Sequence, residues 1–364
     1  MIKLPMNVIN FSGGETKPYE QMKDYFFHYM SEVANKNLGT YEKGVSLSTK
    51  EDNMNTVLLS EINRISGQTM PEGVSFEAWS KNPMIVWASF QTVGMMIDAI
   101  LPETIIRSIG IYTDLKPVDY GETATFDIMP NSLFTVSKSS NAQRTAFRQK
   151  QFKTSATLTP ENHAMTVMVS LYKVLSKKES LAEFVRKAVI SMETEMTKDA
   201  YGALTTLVSN ASFPKELQKT GYTQDALLNL CEITTSYNQG QKATIVGTTT
   251  AVSKVLPSAA NGYRIVTQSE NMGIQLIKNF FDYDILVLPQ VATGINYGLA
   301  LDDTKLYTIS TSTDKIIKGA LEGNSITNTN DFYDNADLTS NATINKRWKF
   351  EAISNSKMGV MKLQ

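Results

Sequence analysis

The sequence predicts an α+β fold, and three observations predict it. Residues 128–160 contain no Asp or Glu but carry five basic residues, Lys138, Arg144, Arg148, Lys150 and Lys153. About twenty residues later a single apolar stripe at helical spacing runs over 181–208, roughly 28 residues and ~42 Å at the usual rise. Between 221 and 310 the pattern alternates helix with short apolar runs, as in a compact α/β unit.

The middle of the acid-free stretch, 137–149, is polar and flanked by strand-like runs, so it reads as a two-stranded arm with a cationic tip. A compact enzyme seldom needs a projecting arm beside an over-length helix, whereas a subunit that hooks onto neighbours does. Formal net charge is −1, so the charge on the arm is placed there and is not spill-over from a basic protein. No global field draws the chain to nucleic acid or membrane.

The 364 residues, 42% of them hydrophobic and 20% charged, are enough for one large domain or two smaller ones. One cysteine, Cys231, falls in an expected helix and reads as a small buried apolar residue; it excludes an internal disulfide and fits a reducing compartment. The first eleven residues show no charged-then-apolar signal pattern. The most apolar window, 84–101, contains Gln91 and Asp98, which count against a membrane span, so it is expected to be a buried or interface helix.

From the amino terminus, 17–35 and 51–65 carry apolar residues at helical spacing and read as an N-terminal arm lying along the body or a neighbour. The helix over 82–101 is apolar nearly all round, and Pro102 is expected to stop it. Residues 105–175 read as β-rich. Ala124, Phe126 and Ile128 alternate with polar residues, as do Phe134 and Val136, and then Met165, Val167, Val169 and Leu171. Ser180-Leu181-Ala182-Glu183 is a capping box that starts the long helix. Beyond it come a helix over 224–238 ending at Gly240, a buried strand over 242–247, a short helix over 249–255, and strands over 284–289 and 297–302. Residues 311–364 return to β structure, closing with a strand over 358–363.

No constellation for catalysis stands out. The two histidines, His28 and His163, are far apart and read as surface or packing residues, with no set of local partners for a metal or a triad. Ile245-Val246-Gly247-Thr248-Thr249 lacks a phosphate-loop pattern and reads as a plain strand-to-helix turn with a Thr cap. Asp302-Asp303 and Asp331, Asp334 and Asp337 lack the spacing of a calcium loop and read as solvated loops. No catalytic, cofactor or metal residues are therefore assigned. The cationic arm could grip phosphate, but only Phe147 is available for base stacking, so an acidic patch on a neighbouring subunit is the expected partner.

In this order of parts the chain resembles the major capsid proteins of tailed bacteriophages with the Hong Kong-type capsid fold. Two segments carry the resemblance: R-W-K-F-E-A-I-S-N-S-K-M-G-V-M-K-L over 347–363, and K-A-T-I-V-G-T-T-T-A-V-S-K over 242–254. The resemblance covers roughly 105–364. It implies an N-terminal arm or helical region over 1–104 and a peripheral domain from 105–220 and 311–364. That domain would carry an extended β-hairpin loop at about 120–159 and a spine helix at about 181–208. An α/β axial domain would occupy 221–310. It further implies pentamers and hexamers of one chain in an icosahedral shell, found in the virion and assembled in the bacterial host cytoplasm, enclosing double-stranded DNA without sequence-specific binding. Portal and scaffolding or decoration proteins would be partners, with no membrane and no cofactor. The inter-subunit contact would lie at Lys138, Arg144, Arg148, Lys150 and Lys153, and the loop at the capsomer centre would include Ser258, Asn261, Gly262 and Arg264. Two other readings stand beside it: an encapsulin-type bacterial compartment shell, and an α/β nucleotide-binding enzyme centred on 221–310.

Overall fold

A computed structural model describes residues 26, 29, 46–67, 82–128, 130, 134–136, 138, 148–169, 180–210, 213–255, 279–293, 297–310, 314–323, 325–329 and 340–363. Three long helices come together first. Helix α1 (Leu47–Ser66) starts where the Ser46 hydroxyl accepts from the Thr49 N–H, and ends at Gly67, whose φ of 65° suits a residue without Cβ. Its buried stripe is Met54, Leu58 and Ile62. Phe26 and Tyr29, both helical and buried, join the same core.

Helix α2 (Pro83–Ile109) is capped by Asn82, which accepts from the Met84 N–H, and is buried on most sides between α1, the long helix and a sheet. Its stretch Pro83–Ile106 is long and apolar enough to cross a membrane by length and composition, but 67% of its most apolar window is buried in protein. The expected stop at Pro102 is wrong: the helix continues through it to Ile109. A proline inside a helix costs about 3 kcal/mol. Beyond it Ile105, Ile109 and the following Tyr112 are buried. The two isoleucines contribute about 1.5–3 kcal/mol each, which offsets the penalty.

Helix α3 (Leu181–Ser209) is the long helix, with Leu181, Val185, Val189, Met192, Met196, Ala200 and Leu204 on its buried face. Its capping box is only half made. The Ser180 hydroxyl accepts from the Glu183 N–H at 3.2 Å, but the Glu183 carboxylate is taken by Arg186, at 2.6 and 2.7 Å. Asn55 of α1 supplies the second cap, its carbonyl accepting from the Ala182 N–H at 2.9 Å. The two helices therefore share one joint.

Two sheets flank these helices. In the five-stranded sheet β1 (Thr113–Val118) runs parallel to β10 (Ile317–Glu322), and β10 antiparallel to β12 (Ser340–Ala352). Residues 340–348 of β12 also pair antiparallel with β4 (Glu161–Val169), and residues 342–345 with β11 (Ile326–Thr329). Helix α3 packs on β12 and β10, and α2 on β11. The close approach of α2 to β11 requires Gly94, since a Cβ there would sit 2.7 Å from the Thr327 hydroxyl.

The six-stranded sheet has the order β5 (Gln218–Thr220), β13 (Gly359–Lys362), β9 (Lys305–Ser310), β6 (Ala243–Gly247), β8 (Tyr283–Val287), β7 (Asn279–Phe280). Helix α4 (Gln224–Tyr237) packs across β6, β9 and β13, and the short α5 (Thr249–Ser253) beside β6. Two differences from the sequence reading matter here. Residues 218–220 and 359–362, expected in the peripheral part, pair into this sheet. The strand expected at 297–302 lies instead at Lys305–Ser310; within 297–302 there is one isolated bridge, Ala292 to Leu299. The cause is the turn at Asp302, whose carboxylate accepts from the Thr304 N–H at 2.9 Å and its hydroxyl at 2.6 Å, so that the strand starts at Lys305.

Candidate interaction site

The arm begins at its root. Strands β2 (Ala124–Ile128) and β3 (Thr154–Leu158) pair antiparallel, with Ala124 opposite Leu158 and Ile128 opposite Thr154. Alternation puts Ala124, Phe126 and Ile128 on one face, where Phe126 and Leu158 pack with Ala320 of β10 in a small separate core. Lys116 places its ammonium 4.6 Å from the Phe126 ring centre and donates to the Thr125 carbonyl at 2.6 Å. The root is thus fixed on the five-stranded sheet.

Farther out the arm is solvated. Residues 134–136 and 148–150 are not paired as strands, yet they are held side by side. The Thr135 N–H donates to the Gln149 side-chain carbonyl at 2.8 Å, and the Gln149 amide donates back to the Thr135 carbonyl at 2.7 Å. One side chain here does the work of a ladder rung. Phe134, Val136 and Phe152 stay exposed, Val136 at 94%. Exposed apolar side chains gathered on one element suit a contact surface.

The cations expected at the tip divide into two groups. Lys138, Arg148 and Lys150 are exposed, and Lys150 lies 5.1 Å from the Phe152 ring centre. Lys153 is not at the tip but at the root, 2.7 Å from Asp127 across the strand pair. Its ammonium holds the Asp127 carboxyl below the ordinary value. Arg144, and the loop residues Ser258, Asn261, Gly262 and Arg264, lie outside the described residues.

The long helix is tied to its surroundings at three levels. Tyr29 reaches Glu183 at 3.4 Å, where burial, with Glu51 and Glu183 nearby, pushes its hydroxyl up to about 12. The Trp348 indole donates to Asp199 at 2.8 Å, and the His163 ring stacks on Trp348 at 3.9 Å. Tyr201 donates to the Pro289 carbonyl at 2.9 Å, reaching the six-stranded part. His163 is a packing residue of β4, and His28 lies outside the described residues. Thr248 caps α5 through the Ala251 N–H at 3.1 Å, as a plain turn requires. Asp303 accepts from Gln290 at 2.8 Å, while Asp331, Asp334 and Asp337 lie outside the described residues. Among the described residues no group of three or more His, Cys, Asp or Glu is placed to hold a metal ion.

Sequence reasoning missed Gln149 and Asn55, since a lone amide carries no signal until its partner's position is known. It noticed Asp98 but missed its partners: the carboxylate accepts from Lys346 at 2.5 Å and from the Ser325 N–H and hydroxyl at 2.8 and 2.9 Å.

No protein-family model matches the chain, and no curated protein does. Solved structures are similar to it in backbone course. One is the asymmetric unit of the bacteriophage PhiM1 mature capsid, with a TM-score of 0.43 and 12% identity, covering 69% of this chain and 85% of that one. The capsid of a native GTA particle gives 0.48 and 12%, covering 70% and 89%. A virus-like particle from Pyrococcus furiosus gives 0.43 and 11%, covering 72% of this chain and 96% of that one.

Proposed function

We propose that this chain is the structural subunit of an icosahedral virus head. It self-assembles into pentamers and hexamers and encloses double-stranded DNA without reading its sequence. The observation that carries the reading is the arm: rooted in a small core, clamped by Gln149, and presenting exposed cations beside exposed Phe134 and Val136. Such a surface has no purpose within one chain and suits a neighbour in a shell. The rest of the architecture supports it. A 29-residue helix joins an α/β sheet to a second sheet with the arm at its edge, giving one chain several faces for distributed contacts.

In this reading the peripheral part is the five-stranded sheet with the arm and α3, and the axial part is the six-stranded sheet with α4 and α5. Ser258, Asn261, Gly262 and Arg264 belong to the loop at the capsomer centre. Portal, scaffolding or decoration proteins complete the particle, which forms in the host cytoplasm. The role is structural and not enzymatic.

The test is to express the chain alone and follow purified material by size exclusion with light scattering and by negative-stain electron microscopy. Capsomers, tubes or closed shells are expected, and particle diameter with nucleic-acid content separates a phage head from a bacterial compartment. The double variant Arg144→Glu, Arg148→Glu should stay folded and fail to close shells. Normal particles from it would overturn the role of the arm. Tight nucleotide binding by a stable monomer would turn attention back to residues 221–310.

A further inference from the structure

The arm has two electrostatically opposite ends. Beside the root, β1 and β2 are joined by the turn Asp119-Tyr120-Gly121-Glu122, closed by a 3.0 Å bond from the Glu122 N–H to the Asp119 carbonyl. Gly121 has φ of 78°, the conformation a type II turn demands at its third position, so the turn has a fixed shape. Asp119 and Glu122 are exposed, Tyr120 between them is 68% exposed, and no cation among the described residues pairs with either carboxylate. Beyond the other end of β2 lie exposed Arg148 and Lys150 beside Val136, in a stretch that contains no acid from 128 to 160.

These surfaces match in kind. Carboxylates meet guanidinium and ammonium, and an exposed tyrosine ring meets exposed apolar side chains and cations. They cannot meet within one arm. The five residues of β2 alone hold the two ends ~16 Å apart at the usual strand rise, and the Gln149 clamp with Thr135 lies farther out still. A complementary pair on opposite ends of a rigid element is satisfied only head to tail, with a second copy. Such a heterologous contact generates rings when the rotation closes.

We propose that the outer arm of one copy docks on the Asp119–Glu122 turn at the arm root of the next copy. Arg148 and Lys150 lie against the two carboxylates, and Val136 against Tyr120. The inference rests on the shell reading and names the partner surface of the arm.

Two chains with one added cysteine each test it, Tyr120→Cys and Val136→Cys, co-assembled and oxidised. Cys231 is buried and does not compete. A disulfide-linked dimer is expected on a non-reducing gel from the mixture and from neither chain alone. In parallel, Glu122→Arg and Arg148→Glu should each lower particle yield by tenfold or more with unchanged melting temperature. Combined in one chain, they should restore it. Wild-type particles without the mixed dimer, or a charge swap that restores nothing, overturn the docking while leaving the shell reading intact. A wild-type chain that forms no assembly at all fails the shell reading itself.

Discussion

The five-stranded sheet carries Lys318, Glu322 and Lys346 almost wholly out of water, at 3%, 1% and 0% exposure, whereas the six-stranded sheet holds no comparably buried charge among the described residues. Each buried charge is a tie between elements far apart in the chain or across a turn. Lys346 reaches Asp98 of α2, Lys318 reaches Asp314 at 2.7 Å and Asp114 at 3.3 Å, and Glu322 faces Arg347 at 3.4 Å. The six-stranded sheet uses apolar packing instead, around Leu227, Leu230, Ile245 and Leu306, with one buried hydroxyl pair, Thr234 and Thr308, 3.0 Å apart. The lesson is about register. A buried ion pair adds little net stability, but any slip leaves a charge stranded in apolar surroundings. The sheet that carries the arm is therefore pinned in position, and the other is simply stabilised.

The sharpest way to break this contrast is to strand one charge. Lys346→Met leaves Asp98 without its ammonium and should cost about 3–5 kcal/mol, read as a shift in the urea midpoint. The double change with Asp98→Asn should recover much of that loss; a double variant no better than the single would refute the ionic account. In the apolar sheet, Leu306→Ala should cost about 3 kcal/mol by the usual cavity range. It should also expose Cys231. Burial, with Glu232 nearby, pushes that thiol up to about 12, so it should react with a thiol reagent only on opening. Labelling of the native wild-type chain at the rate of a free thiol would contradict this.

A smaller effect is expected at the joint between α1 and α3. Asn55→Ala removes one of the two caps and should cost about 1 kcal/mol, visible as a modest fall in melting temperature. The smallest concerns acid. Burial pushes the Asp302 carboxyl up, but the Thr304 hydroxyl and N–H and the Lys305 ammonium hold it down to about 2. A depressed carboxyl contributes stability above its unfolded pKa, about 3.9, that is lost as pH falls toward 2. Asp302→Asn should therefore be less stable than wild type at neutral pH and converge with it across that window. A difference that persists unchanged below pH 2 would show that something other than this charge is at work.

Much of the candidate site was legible because it is local. The absence of acid between 128 and 160, and the alternation of Ala124, Phe126 and Ile128, foretell a cationic two-stranded arm. Two things hid in it. Lys153 reads like the other cations until the register sets it against Asp127. Gln149 reads like any polar loop residue until Thr135 lies opposite it. Pro102 misled for the converse reason: the local rule was sound, but burial of Ile105 and Ile109 outweighed it.

By itself the sequence determined where α3 starts, at Ser180, and which face of it is buried, since a cap and a period of 3.6 residues involve only near neighbours. It also determined the charge of the arm. Only the tertiary structure decided that β1 pairs with β10, some two hundred residues later, that Gly359–Lys362 closes the six-stranded sheet beside β5, and that Lys346 is buried against Asp98. A strand's pattern specifies which face it buries but not which strand it meets. Partner choice is a contest among distant segments, settled by packing the whole core and by the cost of leaving any charge or backbone group unpaired within it.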